Sequence, residues 1–423
     1  MKLPDGYKDS LTGTIPFDWE CVTVFDECDI LDSRRVPLSA AQRQSMKGEI
    51  PYYGANGVVD HIDDYLFNQP LVCLAEDGGN FQDFATRSIA YKIEGKSWVN
   101  NHAHVLSMRN GQIDFLLYSF EHKDITNFIN GGTREKLNKS ALEKIPFAFP
   151  PLPEQKKIAR ILSSVDSKLA LIDQQITTTQ TLKKGLMQKL FTQGVGTQDA
   201  DGRWQPHTEF QKTELGRIPL GWAVTKLDDL VTRGSGHTPD KQHPEYWNGG
   251  IKWVSLADSA RLDQGVITIT DKEISHLGID NSSAVLHPKG TVVMSRDAGI
   301  GKSAVMGEDM AVSQHFIAWS CEQKGKLNNW FLYYLLQLMK PEFERIAIGS
   351  TIKTIGLPYF KKLKIAHPTE IAEQNEIARI LSTVDHKLEH LKSKIAQTQQ
   401  LKKGLMQKLL TGQIRVQPDP QDI

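Results

Sequence analysis

The sequence predicts an α+β protein. Two globular α/β parts alternate with two long helices, and the helices pair as an antiparallel coiled coil in a pseudo-two-fold internal repeat. Three observations predict this. A long segment occurs twice at a fixed offset, its apolar residues fall at heptad spacing, and the stretches before each copy carry the same short motifs in the same order.

The duplicated segment spans residues 154–192 (EQKKIARILSSVDSKLALIDQQITTTQTLKKGLMQKLFT) and 373–411 (EQNEIARILSTVDHKLEHLKSKIAQTQQLKKGLMQKLLT). The two align without a gap, and 25 of 39 positions are identical. A chain of 423 residues suits two or three domains. The repeat predicts a globular part over 1–152, a central helix over 153–195 and a linker over 196–212. A second globular part follows over 213–371, then a second helix over 372–415 and a flexible tail over 416–423.

Each copy places an apolar seam on one helix face. The first seam is Ile158, Leu162, Val165, Leu169, Ile172, Ile176, Leu186 and Leu190. The second is Ile377, Leu381, Val384, Leu388, Leu391, Ile395, Leu405 and Leu409. Thr179 with Lys183, and Thr398 with Lys402, interrupt the seam at the same depth. Pro150, Pro151 and Pro153 bar an earlier start, and Gly194, Gly196 and Gly412 are C-terminal stops. A helix of this length, about 58 Å, cannot bury its seam alone, and two in one chain can pair antiparallel. Gly185 and Gly404 sit inside the helices, where glycine costs about 1 kcal/mol against alanine. Beside basic residues they allow either close approach of another chain or a tolerated kink.

The globular parts repeat more loosely. GTIPFDW (13–19) matches GRIPLGW (216–222), VCLAEDGG (72–79) matches VVMSRDAG (292–299), and VNNHAHVL (99–106) matches VSQHFIAW (312–319). FLLY (115–118) and GGTREKL (131–137) match FLYY (331–334) and GSTIKTI (349–355). Strands are predicted over 71–75, 88–93 and 104–108 with a helix over 112–122. In the second part they fall over 251–256, 291–295 and 315–320 with a helix over 328–339.

Composition excludes several classes. No apolar run reaches the roughly 18–20 residues of a membrane span, and the N-terminus has no secretory h-region. Cys21, Cys28, Cys73 and Cys321 show no CxxC spacing and read as reduced thiols of a cytoplasmic protein. Net charge is zero, from 50 basic and 50 acidic residues, which counts mildly against a nucleic-acid binder. It is unevenly spread. Residues 1–150 hold 15 basic and 21 acidic groups, whereas 151–195 hold 7 and 3.

Catalytic motifs are missing. AGIGKS (298–303) has Arg296 where a phosphate-binding loop needs its first glycine, so it reads as a strand–turn–strand. IPYYG (50–54) faintly resembles the motif of amino-methyltransferases but lacks its initial amide or carboxylate. His102 and His104 read as strand histidines rather than metal ligands. No catalytic and no metal residues are assigned. Two diverged globular parts on two near-identical helices suit a two-headed recognition protein. Loop residues with base-reading and phosphate-holding chemistry are the candidate DNA contacts. In the first part they are Arg34, Arg35, Tyr52, Tyr53, Asn56, Asn80, Asn101 and Arg134. In the second they are Arg233, Thr238, Lys241, Tyr246, Trp247, Arg296, Lys302, Gln314 and Lys353.

The whole chain resembles the specificity subunit of type I restriction-modification systems. The likeness rests on PPLPEQKKIARILSSVDSKL, EQNEIARILSTVDHKL, the repeated LKKGLMQKL, the IPxxW lead-ins and the GGT and GST segments. It implies that the globular parts are target recognition domains, each reading one half of a bipartite site in double-stranded DNA. It implies helices that set the gap between half-sites and dock two modification (methyltransferase) subunits, with restriction subunits joining the complex. It further implies a subunit that is not itself an enzyme and binds no cofactor. S-adenosylmethionine would sit in the methyltransferase partner, and ATP and Mg in the restriction partner. Two other readings are a coiled-coil scaffold for proteins and the recognition part of a self-contained adenine methyltransferase.

Overall fold

The computed structural model describes residues 5–131, 135–349 and 353–420. The chain forms two compact units, Met1–Gln174 with Ser393–Ile423, and Gln175–Lys392. The predicted boundaries run linearly along the chain, whereas each unit takes half of each long helix. Four helices organise them: α1 (Ile113–Glu121), α2 (Leu152–Gln193), α3 (Asn329–Ile346) and α4 (Ile371–Leu409).

In the first unit, strands β1 (Cys28–Ile30), β2 (Leu71–Ala75), β3 (Ala90–Ile93) and β4 (Ala103–Met108) form a sheet of order β1-β4-β2-β3. All five residues of β2 are buried, as a run of apolar side chains requires. The amphipathic α1 packs on β2 and β3. The core beneath it holds Trp19, Phe115, Phe120 and Phe147. Ile158 and Leu162 of α2 and Met406 and Leu409 of α4 enter the same core.

The second unit repeats the plan. Its strands β5 (Thr232–Ser235), β6 (Val266–Ile267), β7 (Val292–Ser295), β8 (Ser303–Met306) and β9 (Phe316–Ser320) have order β5-β9-β7-β8-β6. Ala103 faces Ala75 across β4 and β2, and Phe316 faces Ser295 across β9 and β7, so the matched motifs share one register. AGIGKS is the turn between the antiparallel β7 and β8, with positive φ at Ala298, Gly299 and Gly301. Trp222, Trp319 and Phe331 share a core with Met187, Leu190 and Phe191 of α2 and Ile377 and Leu381 of α4.

The repeated lead-ins are explained by hydrogen bonds. Trp19 Nε1 donates to Glu154 Oε2 at 3.0 Å, and Trp222 Nε1 donates to Glu373 Oε2 at 3.0 Å. The next residue caps the reader helix: Gln155 Oε1 accepts from Gln112 N, and Gln374 Oε1 accepts from Asn328 N. The four glutamate and glutamine side chains are all buried and satisfied. Two expectations are corrected here. The second helix ends at Leu409 rather than 415, with Arg415 beyond it bound to Glu154 and Asp18, and the described part of the tail is tied down by Val416 N on Glu154 and by Lys157 on Asp419. The linker over 196–212, for which no conformation was expected, carries a short hairpin of Thr197–Gln198 with Trp204–Gln205, and His207 Nε2 lies 2.9 Å from Glu373 Oε1.

Every predicted seam residue is buried or half-buried. The outer turns of each seam are sunk in the globular cores, beside Met187 and Met406, which heptad counting had left out. In each unit the two helices run antiparallel. Asp166 of α2 meets Lys402 of α4 at 2.7 Å in the first, and Lys183 of α2 meets Asp385 of α4 at 2.5 Å in the second. Tyr118 donates to Asp166 and Tyr334 to Asp385, which ties each reader helix to the pair. Thr179 and Thr398 are buried with their hydroxyls bonded to the carbonyls of Gln175 and Lys394. The polar breaks in the seam are thus filled layers. A Cβ at Gly185 or Gly404 would meet nothing within 4 Å, so both glycines face open space beside Leu182 and Leu401, each 53% exposed. Gly194 and Gly412 end the helices with φ of 71° and 70°.

Candidate DNA interface

The second reader brings four of its predicted residues together. Thr238, Lys241, Trp247 and Gln314 line one cleft of about 340 Å³, with Trp253, Lys272 and His315. Thr238 Oγ1 donates to Gln314 Oε1 at 2.5 Å. Trp247 and Trp253 meet edge to face at 5.3 Å, and their indoles donate to the Asp240 and His237 carbonyls. The cleft therefore has rigid aromatic walls, an amide and two ammonium groups at its mouth. That set can stack on a base or sugar, hydrogen-bond a base edge and attract phosphate. Tyr246 stands nearby, stacked on His243 at 4.7 Å, and Lys353 is exposed.

Other predicted contacts in this unit are held internally. Arg233 lies in β5, not in a loop, and donates to Asp228 at 3.0 Å. Arg296 donates to the carbonyls of Gln314 and Ile355, so it buttresses the cleft from behind. Lys302 donates to the Ser259 carbonyl at 3.1 Å.

The first reader departs further from expectation. Tyr52 and Tyr53 belong to a strand, Lys47–Gly54. Tyr52 is buried and its hydroxyl accepts from Leu38 N, while Tyr53 stacks on Tyr91 at 5.6 Å. Arg35 is corrected to a structural role. Its guanidinium lies 2.6 Å from Glu76 and 3.2 Å from Asp32 and donates to the Ala103 carbonyl. His104 completes this cluster, with Nδ1 2.6 Å from Asp32 and Nε2 2.7 Å from the Leu137 carbonyl. Burial works to raise both acids, but the His104 bond at Asp32, and Arg35 and Lys136 at Glu76, hold them below the usual carboxylate range. Asp32, Glu76 and His104 have metal-ligand spacing, yet Arg35 and Lys136 already supply the positive charge. Exposed polar groups remain: Arg34, which also caps Phe67 at 4.7 Å; Asn56, bonded to the Gly78 carbonyl; and Asn101. Asn80 is half-buried and donates to the Ser88 carbonyl. Arg134 lies outside the described residues.

Residues 16–179 and 219–400 both match the type I restriction modification DNA specificity domain. The chain belongs to that family. It is 27% identical over 429 residues to the type I restriction enzyme MjaVIII specificity subunit of Methanocaldococcus jannaschii, covering 95% of this chain and 94% of the relative. A putative type I restriction enzyme specificity subunit of Haemophilus influenzae is 26% identical over 84% of each chain. The crystal structure of the type I restriction-modification S subunit from M. genitalium shares the fold at a TM-score of 0.59 and 14% identity. That match covers 97% of this chain and 98% of that one.

The two specificity domains match the two motif sets read from the sequence. What sequence reasoning missed in the cleft is Trp253, Lys272 and His315; His102, read as a strand histidine, stands in the turn just before β4. Trp253 and Lys272 lie on adjacent strands and reach the cleft only through the pairing of Trp247–Val254 with Lys272–Ile274. No short-range signal marks them.

Proposed function

We propose that this specificity subunit reads a bipartite site in double-stranded DNA, one half-site per specificity domain, and that α2 and α4 set the unread gap. One observation carries the reading: two readers that share strand register but not loop sequence are joined to two near-identical helices. Diverged loops suit different half-sites, and identical helix faces suit two copies of one partner. The partners are two modification subunits, with restriction subunits joining through the complex. S-adenosylmethionine, ATP and Mg belong to those partners, and the complex works in the cytoplasm. Among the described residues, no helix is long and apolar enough to cross a membrane.

The test is adenine-methylation mapping in cells that express the chain with its modification subunit. A two-part motif with a constant gap is expected. A single contiguous motif, or methyl transfer by the purified chain alone, would overturn the proposal.

A further inference from the structure

Outside the cleft residues, one more pair is duplicated. His102 Nδ1 is hydrogen-bonded to Asp77 Oδ1, and His315 Nδ1 lies 2.8 Å from Asp297 Oδ2. The two dyads occupy matched places. Glu76 N donates to the His102 carbonyl at 2.8 Å, and Arg296 N to the His315 carbonyl at 3.0 Å. Leu137 N donates to the Glu76 carbonyl, and Ile355 N to the Arg296 carbonyl. The residues beside the dyads differ, Glu76 against Arg296 and Asn101 against Gln314, while the aspartate and histidine persist.

A carboxylate against Nδ1 accepts the proton carried there, so Nε2 is the ring nitrogen left to face outward. The His102 and His315 side chains are 41% and 36% exposed. Neither Nε2 makes a hydrogen bond among the described residues. His315 also lines the cleft with Lys241 and Gln314. A pair kept only for folding needs no such exposure. A pair that read a base would differ between readers of different sequences. A phosphate is the anionic DNA group that both half-sites present alike.

We propose that His102 and His315, each as an imidazolium with its Nδ1–H on the aspartate, donate through Nε2–H to a DNA phosphate and so seat each reader without reading a base. This rests on the DNA-reading function proposed above. The test uses the complex assembled with its modification subunits, the cognate duplex, and duplexes with either half-site scrambled. His102→Ala and His315→Ala should each weaken binding about tenfold for all duplexes alike, the loss of a hydrogen bond to a charged group. Each should reduce the log–log salt slope by about one, with the melting temperature unchanged. His102→Gln and His315→Gln keep a donor of similar reach and should recover part of the affinity. A loss confined to one base position would make the histidine a base reader. A loss that tracks a lower melting temperature at constant salt slope would make the dyad a folding element. Either result overturns the phosphate contact. An unaltered complex that does not prefer the cognate duplex would instead overturn the functional reading, and the dyad's role with it.

Discussion

Lys402 Nζ lies 2.7 Å from Asp166 Oδ1 and 2.8 Å from Glu121 Oε2, whereas its repeat counterpart Lys183 is paired with Asp385. Three residues after Tyr334, where the first reader has Glu121 after Tyr118, stands Gln337, which is turned to Asp263 and Ser303. The two polar layers are therefore unequal. Lys402→Met leaves two carboxylates facing each other in a half-buried site and should cost about 3 kcal/mol. Lys183→Met leaves a single aspartate at the site of a more exposed lysine and should cost about 1 kcal/mol. Chemical denaturation of the two variants decides this, and equal losses would contradict the asymmetry.

Arg35→Ala should weaken the fold of the first reader and leave its sequence preference intact, because the guanidinium is held by Asp32 and Glu76. Both acids have folded-state values below their ordinary 3.8 and 4.5. A depressed carboxylate contributes stability that is fully present above its ordinary value and is lost as pH falls through the depressed one. The melting difference between wild type and Arg35→Ala should therefore be constant near neutrality and shrink below about pH 4. Altered specificity at unchanged melting would put Arg35 on the DNA instead.

In the second reader, Trp247→Ala and Gln314→Ala each remove a side chain that lines the cleft. If Gln314 contacts a base edge, its loss should relax one position of one half-site by about 1–3 kcal/mol, read as methylation of near-cognate sites. The other half-site should be unaffected. Relaxation of both half-sites together would mean that the readers are not independent.

Leu182 and Leu401 are apolar, equally exposed and one turn from glycines that face open space. If two modification subunits dock as proposed, Leu182→Asp should remove one and Leu401→Asp the other, leaving a complex with a single copy, as mass photometry would show. Gly185→Ala and Gly404→Ala should raise helix stability by about 1 kcal/mol each. If stoichiometry survives all four changes, this face is not the docking surface.

The gap between half-sites can be altered by design. Seven residues inserted between Ile176 and Leu182, and seven between Ile395 and Leu401, keep the seams in phase and add roughly 10 Å, about three base pairs. Both half-sites should persist with a longer gap in the methylation pattern. Four-residue insertions rotate the seam by about 40° and should be tolerated worse. An active seven-residue variant with the original gap would show that the helices are not the ruler.

The legible parts of this molecule are those that depend on short-range pattern. The five apolar residues of β2 define a strand alone, and heptad spacing defines both ends of α2 and the start of α4 to within two residues, whereas α4 ends at Leu409, short of the expected 415. The strand Lys47–Gly54 was hidden because its YYG continues into a turn-like ANG, so Tyr52 reads as a loop aromatic although it is buried. Arg35 reads as a loop cation because its acid partner Glu76 is 41 residues away. The role of Lys183 was equally hidden. A lysine in an apolar seam looks like a defect until the antiparallel partner brings Asp385 to it.

That cross-pairing bears on how such a chain can change. Asp166 does not answer to Lys183 in its own copy of the repeat but to Lys402 in the other, and Asp385 answers to Lys183. Each copy is thus the mate of its twin. A substitution at Asp166, Lys183, Asp385 or Lys402 is felt in the other copy, and the two copies share 25 of 39 positions. On the proposed function, a reader would be exchangeable wherever the repeat supplies a matching seam. New DNA preferences would then arrive as interchangeable cassettes on an unchanged chassis.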